Sequence, residues 1–112
     1  MARHAALAGA LLCAAVSLSA GQASRTFSGL ITDEMCPTGS HTHMRMGSND
    51  ADCAKACVMA HASSYVLYDG KSAYVLSDQK TPEQFAAQKV RVVGTLDAKT
   101  MTIQVESITV VR

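Results

Sequence analysis

The chain has 112 residues with a formal charge of +1, 48% hydrophobic and 17% charged residues. That length holds one domain, and the balance excludes a disordered or fibrous chain. Aromatic residues make up only 4% and Trp is absent, so neither a base-stacking platform nor the strongly basic footprint of a nucleic-acid binder is present.

Met1 to Ala23 reads as a secretory signal peptide. Arg3 supplies the positive start, Ala5 to Leu18 an apolar stretch, and Gly21-Gln22-Ala23 the small residues before a cut at Ser24. A membrane span needs about 20 apolar residues, more than this run offers. A lipid anchor at Cys13 is disfavoured by Leu11 and Leu12 before it. Cleavage would leave residues 24–112 as a single domain without a membrane span, formally neutral once Arg3 is gone, in the periplasm or secreted medium. So short a chain supports one modest core and gains from a staple.

Arg25 to Asp33, with Phe27, Leu30 and Ile31, predicts a first strand. A polar zone follows, Glu34 to His61, holding every remaining Cys and His and four methionines. Within it Asp50 to Ala62 predicts a helix, capped by Asn49 or Ser48, with Asp50 and Asp52 in the first turn. Cys53, Cys57 and His61 recur every four residues and share roughly one face, drifting by about 40° per step.

Tyr65-Val66-Leu67-Tyr68 and Ala73-Tyr74-Val75-Leu76 flank Asp69-Gly70-Lys71, a strong hairpin signal, with the tyrosines packing on the sheet. Thr81-Pro82-Glu83 predicts a short helix to about Ala87, capped by Thr81. Val90, Val92, Val93 and Leu96 form a fourth strand. Asp97-Ala98-Lys99-Thr100 turns into a fifth beginning at Met101, where Thr102, Gln104 and Glu106 mark a wet face. The order matches a mainly β, small five-stranded OB-like barrel. A Cys/His loop and helix are inserted between strands 1 and 2, and a short helix precedes strand 4. An open five-stranded sheet with two packed helices fits the same order.

Three accounts fit Cys36, Cys53 and Cys57. Joined by His41 or His43, they make a tetrahedral metal set suited to zinc. Met44 and Met46 add thioethers, which favour cuprous copper, and His61 is a further donor. Alternatively Cys36 pairs with Cys53 or Cys57 in a disulfide worth about 3 kcal/mol, leaving one inert thiol. A thiol redox centre is the third account, although C-x-x-x-C is not the thioredoxin spacing. The plainer roles are core or loop filler for the methionines and a dipole partner at the helix end for His61. Asp33 and Glu34 read as solvated strand-end charges, or as partners that orient an imidazole. No G-x-S-x-G, P-loop or H-E-x-x-H motif occurs.

The run Phe27-Ser28-Gly29-Leu30-Ile31-Thr32-Asp33-Glu34-Met35-Cys36, the Cys53…Cys57-Val58 helix, Tyr65 to Gly70 and Val90 to Asp97 resemble a family of small exported bacterial OB-like proteins. Its most distinctive feature is a Cys, a His several residues on, often a Met nearby, and then C-x-x-x-C. The resemblance implies the fold and export, and matches Cys36, Cys53, Cys57 and either His41 or His43 to that pattern. This chain departs from it at Pro37, where Gly is usual. The resemblance carries no activity.

The expectation is thus an exported, non-enzymatic OB-like domain binding zinc or copper, structurally or in metal handling. The runner-up is a disulfide-stapled module for a small ligand, haem among them, or for an envelope partner, and a thiol redox protein comes third.

Overall fold

A computed structural model describes residues 23–112. The expected leader, apart from Ala23, lies outside the described residues. The chain runs β1 (Arg25–Asp33), α1 (Asp50–His61), β2 (Tyr65–Tyr68), β3 (Ala73–Leu76), a 3₁₀ turn (Thr81–Phe85), β4 (Lys89–Asp97) and β5 (Thr102–Val110). The five strands form one sheet that closes in a ring, in the order β1-β2-β3-β5-β4. All neighbours are antiparallel except β3 and β5, which run parallel through Val75–Thr102 and Leu76–Ile103. The open-sheet alternative does not hold, because every strand has two neighbours, β3 meeting β5 and β4 meeting β1.

Local chemistry explains most boundaries. Asp69 accepts hydrogen bonds from the Lys71 and Ser72 amides, and Gly70 takes a φ of 99°, so this pair turns β2 into β3. The Asn49 side chain accepts from the Asp52 amide and starts α1, while Ala62 ends it in the left-handed region. The short helix corrects the expectation twice. It is 3₁₀ and stops at Phe85, and Thr81 does not cap it. Asp78 does so instead, its carboxylate accepting from the Lys80 and Thr81 amides. Met101 sits at φ 54°, so β5 starts one residue later than its apolar pattern implies.

The core gathers Phe27, Ile31, Tyr65, Leu67, Leu76, Val90, Val92 and Ile103 from the strands and Ala54 from α1. Phe27 and Ile31 are on one face of β1, since alternate residues point the same way. Asp33 shares that parity. The last three residues of β1 are all buried, because the Cys36–His41 loop and α1 lie over this end of the strand. The ring thus carries a carboxylate to a covered position. No helix of the described residues is long and apolar enough to cross a membrane.

Candidate metal centre

Asp33 ends β1 fully buried. Its Oδ1 accepts from the Met35 amide at 3.0 Å and the Cys36 amide at 3.1 Å, which folds the chain back at once. Thr32 tightens the same turn by donating its hydroxyl to the Cys36 carbonyl at 2.8 Å. The turn continues with the Gly39 amide on the Cys36 carbonyl, Gly39 taking a φ of 81° over Leu30. It delivers His41 into the interior at 2% exposure.

Asp33, Cys36 and His41 each offer a ligand atom, and the three atoms lie within 4.8 Å of one another. Oδ2 of Asp33 stands 3.9 Å from Nε2 of His41. Neither Asp33 Oδ2 nor His41 Nδ1 has a hydrogen-bond partner. Buried polar atoms without partners are rare and costly in folded proteins. One carboxylate oxygen, one sulfur and one imidazole nitrogen at this spacing could hold a metal ion.

The helix cysteines divide. Cys53 is fully buried and engages Gly47 twice, its sulfur accepting from the amide at 3.1 Å and donating to the carbonyl at 3.3 Å. Gly47 is required there, since a Cβ would stand 2.7 Å from the Cβ of Asp52. Cys57 is equally buried one turn later. Burial first and then the Asp33 charge push the thiols of both Cys36 and Cys57 up from their ordinary range. Cys36 also feels the charge of Cys53, and Cys57 that of both other cysteines, but only Cys36 joins Asp33 and His41 in the group of close ligand atoms.

The cysteines are nonetheless free. The staple from Cys36 to Cys53 or Cys57 is therefore corrected: all three thiols are free, and the Cys53 sulfur is turned to the Gly47 backbone. His43 and His61 are exposed, Met44 and Met46 are 37% and 41% exposed, and none joins the buried group. His61 has drifted about 80° from the Cys53 face. Of two surface cavities, one lies at the β4–β5 turn and the other beside Gly29, Thr38 and Tyr68. Neither is lined by Cys or His.

Asp33 is the residue that sequence reasoning undervalued. Reading it as a solvated strand end followed its chemistry and ignored its register. Counting by twos from Phe27 through Ile31 puts it on the inward face. Glu34, one step on, is exposed, its carboxylate accepting from the Ser64 amide and its own amide donating to the Ser64 carbonyl.

No protein-family model, curated protein or solved structure matches the chain.

Proposed function

We propose that this protein is an exported, non-enzymatic OB-like barrel domain that binds a transition metal, zinc or copper, through Asp33, Cys36 and His41. Five strands in the order of such a barrel, one parallel contact and a helix between the first two strands support the fold reading. Export rests on the leader pattern of Met1 to Ala23.

One observation carries the metal reading: a buried carboxylate, thiol and imidazole converge while Asp33 Oδ2 and His41 Nδ1 go without partners. An ion satisfies Oδ2 directly. A tetrahedral ion with bonds of about 2.0 Å to oxygen and nitrogen holds those atoms about 3.3 Å apart, so the Asp33–His41 pair closes by roughly half an ångström on loading. The raised thiols mean that metal enters by displacing protons. They also weigh against redox work, which needs an accessible thiolate.

The test is elemental analysis of the mature chain, purified without a tag under reducing conditions, beside a thiol count in denaturant. The expected result is near-stoichiometric zinc or copper, three titratable thiols, and metal lost in His41→Gln and Cys36→Ser. Metal-free protein that stays folded and takes up neither zinc nor cuprous ion on dialysis overturns the reading. The mass of the secreted chain checks export, with Ser24 as the expected first residue.

A further inference from the structure

We infer that Asp33, Cys36 and His41 are the entire protein donor set, so that a divalent ion held by them keeps one position for a ligand from outside the chain, a water molecule or a small anion. This rests on the metal reading above and adds what the site does: it exchanges a ligand, where a structural site is closed.

Residue types alone suggest a closed set of three thiolates and an imidazole. The geometry stops at one thiolate. Among the described residues, the Asp, Glu, Cys and His ligand atoms within 4.8 Å of one another are those of Asp33, Cys36 and His41. The Cys53 sulfur uses both its donor and acceptor capacity on the Gly47 backbone. The Asp33 carboxylate offers a single oxygen, since Oδ1 holds the Met35 and Cys36 amides and Oδ2 is left. The backbone carbonyls of the three donor residues are engaged within the turn. That of Asp33 accepts the Cys36 amide, that of Cys36 the Gly39 amide and the Thr32 hydroxyl, and that of His41 the Met44 amide. The thioethers nearest in sequence, Met35, Met44 and Met46, are exposed.

Three donors fall one short of the tetrahedral set that zinc takes. Structural sites fill all four positions from the protein, whereas sites with three protein donors hold water or substrate in the fourth. Charge points the same way. One thiolate and one carboxylate balance a divalent ion, so neutral water completes the shell with no net charge. Three thiolates would leave an excess negative charge where Asp33 and His41 are buried, and a buried unbalanced charge is costly. The cover over the site is one loop thick. Cys36 and His41 are buried, while Glu34, Met35, Pro37, Thr38 and Ser40 around them are exposed. The backbone bonds of Cys36, Gly39 and Met44 close on near neighbours in sequence, so this loop opens locally without breaking the ring.

The test loads reduced, metal-free protein with Co²⁺ as a spectroscopic probe and then titrates in azide. The visible bands of the cobalt form are expected to shift with azide and to return on dialysis. Near-ultraviolet sulfur-to-metal intensity should be that of one thiolate, lost in Cys36→Ser and kept in both Cys53→Ser and Cys57→Ser. X-ray absorption of the zinc-loaded wild type needs no variant to fold, and should count one sulfur at about 2.3 Å and three lighter atoms at about 2.0 Å. A count of two or three sulfurs, intensity lost in a folded Cys53→Ser or Cys57→Ser, or cobalt bands that azide leaves unmoved overturns the inference while a metal site stays in place. Failure of the wild type to take up Co²⁺ or Zn²⁺ removes the metal reading itself, and this inference with it.

Discussion

The strand ring and the Cys/His loop solve the burial problem in opposite ways. The ring buries apolar side chains against one another and pairs its backbone around a closed circuit. The loop and its helix bury a carboxylate, an imidazole and three thiols, and leave two of those polar atoms without partners. The first region is complete from its own sequence. On the proposed reading an ion would give the orphaned Asp33 oxygen of the second its partner. The two regions meet at the end of β1, where Asp33 belongs to both.

The largest effect should come from the ring. Ile103 is fully buried beside the parallel β3–β5 contact, and Ile103→Ala should cost about 2–5 kcal/mol. Urea unfolding should show that loss equally with and without chelator. A loss that vanishes on metal removal would mean that the two regions are one unit. Chelation should come next. At an ion concentration of 100 times Kd the loaded protein gains about 2.7 kcal/mol, which is roughly 10–20 °C in Tm for a domain of this size. Hydrogen exchange should place the lost protection between Glu34 and His61, and equal loss in β4 would break the comparison.

Two smaller effects sharpen it. Asn49→Ala removes the cap of α1 and should cost about 1 kcal/mol, read as faster exchange of the helix amides with β1 to β5 unchanged. The smallest effect is acid sensitivity at the ring's turns. The Ser72 and Lys71 amides hold the Asp69 carboxyl below its ordinary value. The Thr81 hydroxyl, with the Thr81 and Lys80 amides, does the same for Asp78. A carboxyl lowered on folding stabilises above its unfolded pKa, near 3.8 for each, and that contribution fades as pH falls through the folded value. Stability of Asp69→Asn should therefore depend less on pH below about 4 than that of wild type.

Much of the ring was legible because its signals are local. Asp69-Gly70 marked the hairpin, alternation marked the wet face of β5, and the Ser48-Asn49 pair marked the start of α1. The parallel β3–β5 contact was not, since it joins strands distant in sequence with no local mark. The Asp78 cap was missed because Thr81 and Pro82 offered a nearer signal. At the site, Cys36 and the helix cysteines stood out by residue type. What residue type cannot supply is enclosure. Nothing in the spelling of His41 and His43 tells which ring is covered, since that follows from the turn that Asp33 and Gly39 make together.

The ring is sealed by its shortest ladder, the two registered pairs between β3 and β5. Beyond them the Ser77 hydroxyl accepts the Val105 amide at 2.8 Å, where a strand carbonyl would ordinarily stand. With the Ser77 amide on the Ile103 carbonyl at 3.0 Å and the Val75 amide on the Met101 carbonyl at 2.9 Å, that oxygen completes the latch of a hoop. Pulled or warmed, the hoop should spring at this joint before any other, and Ser77→Ala should speed exchange of the Val105 amide while the long antiparallel seam of β5 with β4 still holds.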